Sequence, residues 1–176
     1  YRDEEGMDLY TVTSGRTFAW PFVIEEIAKA PLIGNGREAM VSTGVAIFLI
    51  REYGEFFAHP HNMYLQSMMD NGLLGTIPLL MFFYIVWFRS KSLFQQTDCR
   101  ECVVIGGICL AVVSALLIAG MGSQSFYPRE GSVGMWCAIG LMLRVHVQYE
   151  AAKKLSMKSG NEDGFDLWHP RLRSGA

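Results

Sequence analysis

Apolar residues in this chain are pooled into three long runs, 73–88, 103–122 and 131–147. Pooling of this kind leaves no polar face for water, and each run approaches the roughly 17 to 25 residues that cross a hydrocarbon core about 30 Å thick. The expected fold is all-α and polytopic in a membrane, with about three transmembrane helices. The middle run carries no charge. The first contains Pro78 and the third is glycine-bearing with Arg144 near its end, features tolerated where helix packs on helix.

Positive charge orients these runs. Arg89, Lys91 and Arg100 lie between the first two, and Arg144, Lys153, Lys154, Lys158, Arg171 and Arg173 flank or follow the third. By the positive-inside rule both regions are cytoplasmic. Residues 1–72 and the link 123–130 are then expected outside, in the periplasm of a bacterium, with 73–147 spanning and 148–176 forming a cytoplasmic polar tail. Opening on Tyr1 with no charged-then-apolar leader, the sequence is expected to be the C-terminal part of a longer polytopic protein. The formal net charge is −2 and no basic stripe with interleaved aromatics occurs, which argues against nucleic acid as a partner.

Outside the runs, residues 1–14 are acidic and polar and read as loop. Trp20, Ile24, Ile27 and Ala28 recur at helical spacing with Glu25, Glu26 and Lys29 opposite, which predicts a short amphipathic helix with Pro21 in its first turn and Pro31 at its end. Gly34-Asn35-Gly36 supplies the turn that follows. Residues 45–50 are apolar but too short to cross a bilayer and are expected to pack or dip into the interface. A second amphipathic helix is expected from Asn62, its N-cap, with Tyr64, Leu65, Met68 and Met69 on one face and Gly72 ending it. Residues 159–164 read as disordered. Cys99 and Cys102 form a C-x-x-C pair and Cys109 and Cys137 sit inside runs; without further ligands nearby, all four are expected as boundary or packing residues.

Two side chains in the outer region have chemistry to offer. His61 precedes the expected cap, where the positive end of a helix dipole disfavours the imidazolium and leaves a neutral base; the free N–H groups of the same helix end would suit a phosphate. The alternative is a histidine that merely hydrogen-bonds in a loop. Arg16, four residues before Trp20, could grip a lipid headgroup or diphosphate in fork geometry, or snorkel as a surface arginine at the interface. Arg37, after the Gly34-Asn35-Gly36 turn, is a weaker third cation that also reads as a solvated turn residue. His59 and His61 with Glu55 or Asp70 have donor types for zinc, yet Pro60 intervenes and no H-E-x-x-H helix is present, so neither a metal nor another cofactor is expected.

His61-Asn62, nine residues and then Gly72-Leu73-Leu74-Gly75 resemble the signature of the O-antigen ligase and polymerase superfamily of bacterial inner-membrane proteins, H-[NSQ] followed nine residues later by G-x-x-G. Ser14-Gly15-Arg16 with Trp20, and Pro31-Leu32-Ile33-Gly34-Asn35-Gly36, accompany it in the family's order, and the resemblance covers roughly residues 13 to 147. It implies a GT-C-type glycosyltransferase that moves a glycan from undecaprenyl diphosphate to a lipid- or glycan-linked acceptor hydroxyl at the periplasmic face of the inner membrane. His61 would match the catalytic histidine, acting with inversion and without metal. Arg16, with Arg37 as a further cation, would neutralise the departing diphosphate, while Asn62, Gly72, Gly75 and Trp20 would be structural members of the motif. Family enzymes have more spans and further cations than this chain contains. The alternatives from the sequence are a polymerase of the same superfamily, and a non-enzymatic transport or assembly subunit, whose expected mark would be ionisable residues in mid-span.

Overall fold

The computed structural model describes residues 16–54, 56–122 and 130–159. The acidic start, the link after the middle run and the end of the polar tail lie outside them. All regular structure among the described residues is helical: α1 (Arg16–Lys29), α2 (Ala39–Ser42), α3 (Val45–Tyr53), α4 (Met63–Phe94), α5 (Arg100–Ala119) and α6 (Glu130–Ser159). Each apolar run seeds a helix; two of these extend well beyond their runs, while α5 starts three residues early and ends at Ala119, short of the middle run's end. α4 begins ten residues before the first run, and α6 continues past the third into residues expected as polar tail. Two helices among the described residues, α4 and α5, are long and apolar enough to cross a membrane, and 22% of the most apolar stretch of each is buried by the rest of the chain. A helix in the core of a soluble protein would be mostly covered by its own chain, which these two are not. α6 has the length, but Arg144 and His146 interrupt its apolar stretch.

The chain divides into two compact units. The first takes residues up to 85 together with 114–133. Its core joins Ala19 and Val23 of α1 to Ala39 and Met40 of α2, Val45, Ala46 and Leu49 of α3, and Phe57 and Met69, with Phe18, Phe22, Ile27 and Leu65 packed on its margin. The buried stripe of α1 therefore runs through Ala19, Val23 and Ile27. The face expected from the sequence shares only Ile27 with it: Ile24 is 55% exposed and Ala28 is exposed. Small Ala19 and Val23 let α2 and α3 approach closely, and neither of those two short helices carries a long apolar period in the sequence. α1 also starts earlier than expected, so Pro21 lies in its interior instead of its first turn. Residues 45–50 form α3, packed on this core through Val45, Ala46 and Leu49.

The feature that organises this unit is a break in α4. Gly72 has φ 60° and ψ −165°, so the helix stops there and restarts at once. A broken helix frees carbonyls before the break and N–H groups after it, and buried backbone groups need partners. The loop that follows α1 supplies them. The N–H groups of Asn35 and Gly36 donate to the carbonyls of Met69 (2.8 Å) and Asp70 (2.9 Å), and the N–H groups of Leu73 and Leu74 donate to the carbonyls of Pro31 (2.9 Å) and Leu32 (3.0 Å). Loop and helix lie backbone on backbone. A Cβ on Gly34 would stand 2.6 Å from the Asp70 carbonyl and Gly72 N, and one on Gly72 would fall on Leu32 O and Gly34 N.

The second unit takes residues 86–113 and those from 134 onward. The end of α4 and the start of α5 close on each other at Gly106, where a Cβ would lie 2.6 Å from Phe94 N and 2.8 Å from Ser90 O, a small-residue contact of the kind that brings membrane helices together. On α6, Met135, Ile139, Met142 and Val145 form a buried stripe at helical spacing, and the Tyr149 hydroxyl donates to Gln96 Oε1 at 2.8 Å. Cys99 and Cys102, expected as boundary residues, are joined as a disulfide with Cα atoms 5.2 Å apart; Cys109 is buried and free, Cys137 exposed and free.

Two glycines with positive φ separate the cost of a turn from the cost of the splice. Gly36 (φ 83°) has open space where a Cβ would be, so Gly36→Ala loses only the left-handed penalty of about 1–2 kcal/mol. Gly72→Ala adds overlap with the docked backbone and should lower the unfolding midpoint of detergent-solubilised protein well beyond the Gly36 variant. Equal midpoints would show that the loop is not seated in the break.

Candidate functional site

His61 stands where three constraints meet. The indole Nε1–H of Trp20 donates to the carbonyl of Pro60 at 2.9 Å, tying α1 to the residue just before the histidine. Asn62 is the N-cap of α4, as its residue type foretold: its Oδ1 accepts from the N–H groups of Tyr64 (3.0 Å) and Leu65 (3.1 Å). Between these anchors His61 takes φ 50°, a left-handed backbone uncommon for a residue with a side chain. Its half-buried ring has company that sequence reasoning did not assign. Phe57 meets it edge to face at 6.2 Å, and the His59 ring lies 4.1 Å away, tilted by 56°. The only sequence signal for this was the H-P-H spelling, in which Pro60 lets two histidines turn back on each other.

One expectation about this helix end is overturned. The free N–H groups meant for a phosphate are already used: Met63 N–H donates to Gly120 O (2.8 Å), Tyr64 and Leu65 donate to Asn62 Oδ1, and Gln66 N–H donates to Asn62 O (2.9 Å). The Tyr64 hydroxyl is also engaged, donating to Leu117 O at 2.8 Å. The cap and the end of α5 are thus locked together, and an anion here must be met by side chains.

Arg16 is the first residue of α1, one turn before Trp20, so its Cα lies roughly 6 Å along the helix from the residue that touches Pro60. α1 runs alongside the first half of α4 in the same sense, with Trp20 at the Pro60 end, while Asn35, beyond its C-terminus, sits at Met69. The N-terminus bearing Arg16 is therefore at the His61 end. Arg37 is at the other end of this half-helix. It is exposed, between Gly36 and Ala39, both bound to Asp70, which is seven residues or about 10 Å beyond Met63. The structure thus gathers Trp20, Asn62 and His61 with the start of α1, and places Arg37, Gly72 and Gly75 around the break. Lys29, at the end of α1, is taken up by Glu26 (2.5 Å) and Glu25 (3.5 Å), and the hydrogen bond to Glu26 raises its ammonium above the usual lysine range. Among the described residues no group of three or more His, Cys, Asp or Glu side chains is placed to hold a metal ion.

Residues 3–80 match the family described as O-Antigen ligase, a span that takes in Arg16, Trp20, the 31–36 loop, His61, Asn62, Gly72 and Gly75. The chain is 29% identical over 102 residues to the exopolysaccharide production protein ExoQ of Rhizobium meliloti (strain 1021), a match that covers 54% of this chain and spans 23% of that relative's length. No solved structure matches the chain.

The Asn62 cap and the Trp20 bond predict separate losses. Asn62→Ala should lower stability by about 1 kcal/mol, the usual worth of an N-cap. Trp20→Phe removes one hydrogen bond, about 1 kcal/mol, while keeping an aromatic ring. Thermal unfolding of both variants in detergent checks these values; an unaltered midpoint in either would show that anchor to be dispensable.

Proposed function

We propose that this chain, whose residues 3–80 match the family described as O-Antigen ligase, supplies the histidine-bearing part of a glycosyltransferase of the bacterial inner membrane. The enzyme transfers a glycan from undecaprenyl diphosphate to an acceptor hydroxyl at the periplasmic face. The observation that carries this reading is the joint placement of a constrained, half-buried histidine and the start of the Arg16 helix at one end of α4.

In this reading His61 accepts the hydroxyl proton on an imidazole nitrogen as the acceptor oxygen bonds to the anomeric carbon. The bond from that carbon to the diphosphate oxygen breaks, its electron pair leaves with the diphosphate, and configuration inverts in the single displacement. Because the N–H groups of the α4 cap are already bonded, the leaving charge falls to the cationic side chain of Arg16, while Arg37, about two turns further along, helps to hold the donor. General-base catalysis contributes ~10²–10⁴ in rate, and charge stabilisation at the leaving group adds to it. No step is assigned to a metal. Residues 1–72 are proposed as the outer region, 73–147 as the spanning region and 148–176 as a cytoplasmic tail.

A second reading is a polymerase of the same superfamily, which uses another lipid-linked glycan as acceptor; the relative's printed role in exopolysaccharide production is compatible with it. Both readings use the same residues and differ in the acceptor.

In the full-length protein His61→Ala should reduce transfer by about 10²-fold or more at normal protein level, measured with undecaprenyl-diphosphate glycan as donor. Undiminished transfer rejects the base. Arg16→Lys should also be impaired, since a point charge cannot reproduce a two-pronged contact. Glycan lengths in a deletion strain separate the readings: long unattached lipid-linked chains mean a ligase, single repeat units a polymerase.

A further inference from the structure

Asp70 is 2% exposed and lies two residues before the break, and three of its atoms accept hydrogen bonds, two of them from the 36–39 turn and one from within α4. Its carbonyl accepts from Gly36 N–H at 2.9 Å. Its Oδ1 accepts from Ala39 N–H at 3.1 Å, and its Oδ2 from Gln66 Nε2 at 2.7 Å. The first two bonds grip a four-residue turn at both ends, with Arg37 and Glu38 between them. That turn is strained. Gly36 has φ 83°, and Glu38, a residue with a side chain, has φ 60° and ψ 37°. Left-handed backbone at a non-glycine residue is unfavourable and persists only where its surroundings enforce it. Here the enforcing group is the Asp70 carboxylate, which caps α2 in place of the Glu38 side chain, since Glu38 makes no capping bond. The product of this strain is one exposed arginine held on a fixed backbone.

We propose that Asp70 is a positioning residue, fixing the Gly36–Ala39 turn so that Arg37 meets an anionic group of the diphosphate-linked donor. The proposal rests on the donor reading given above. Arg37 makes the contact and Asp70 acts through it. Gln66 explains what Asp70 tolerates. Gln66 is 3% exposed and its Oε1 has no hydrogen-bond partner while Nε2 serves Asp70. In Asp70→Asn the amide can still accept from Ala39 N–H through Oδ1, and a flipped Gln66 can turn its free Oε1 to the new NH₂ group. That variant keeps every bond of the turn. Asp70→Ala orphans Ala39 N–H and Gln66 together, and Asp70→Glu displaces the carboxylate by one methylene.

The test uses the full-length protein in detergent with undecaprenyl-diphosphate glycan as donor, reading kcat and donor KM alongside the unfolding midpoint. Asp70→Ala and Arg37→Ala should each raise donor KM by about tenfold, equivalent to about 1.4 kcal/mol, with little change in kcat. Asp70→Glu should raise it severalfold and serves in place of the alanine variant if that fails to fold. Asp70→Asn should stay near the parent. The double variant Asp70→Ala/Arg37→Ala should be no worse than Arg37→Ala alone. Parental KM in folded Asp70→Ala or Asp70→Glu overturns the proposal, as does an additive double variant or a parental KM in Arg37→Ala. Failure of the underlying reading shows separately, as full transfer by His61→Ala.

Discussion

Four backbone hydrogen bonds at Gly72 hold the first unit together. An unpaired N–H or C=O buried away from water costs free energy comparable to a lost hydrogen bond. α4 breaks nonetheless, and does so where the 31–36 loop can return two donors for its two freed carbonyls and two acceptors for its two freed N–H groups. Only glycine fits where the strands of backbone touch, since a Cβ on Gly34 or Gly72 would occupy the other segment. The loop and the helix are thus one structural element made from two distant stretches of sequence. α1, α2 and the cap at Asn62 take their places from it.

The same economy of backbone groups shapes the electrostatics. A helix N-terminus ordinarily offers N–H groups to an anion, but here Asn62 and Gly120 use those of Met63, Tyr64 and Leu65. What the cap gains in rigidity it gives up as an anion site. On the proposed reading the negative charge of the donor is met by arginines, whose fork geometry suits phosphate oxygens better than a point charge does. Neither proposed cation lies within α4 itself. Arg16 and Arg37 belong to segments brought alongside, at opposite ends of the same half-helix.

The sequence disclosed the helical class, the centres of the long helices, the Asn62 cap and the break at Gly72, because each rests on a local rule: pooled apolarity, a capping side chain, a glycine at a positive φ. It also pointed to the His61 neighbourhood through motif spacing. What it hid depends on contacts between distant residues. The buried face of α1 was misjudged because Ala19 and Val23 look less hydrophobic than Trp20 and Ile24, yet small side chains are what a close helix contact selects. The seating of the 31–36 loop in the break at Gly72 was hidden because a terminating glycine and a spliced one look alike until that loop is in view. The use of the cap N–H groups was likewise invisible, since Gly120 lies 57 residues from Met63. α6 outran its apolar run because a buried stripe at helical spacing supports a helix without uniform apolarity.

Nine residues separate Asn62 from Gly72, and their number acts as a ruler. α1 is fastened near one end of that interval by the Trp20 indole and near the other by the loop that fills the break. One residue more or fewer would turn one end against the other by about 100° and move it by about 1.5 Å. No single placement of α1 could then satisfy both fastenings. The interval is therefore a length fixed by the mechanics of a neighbouring helix, and it would be kept at nine whichever side chains filled it.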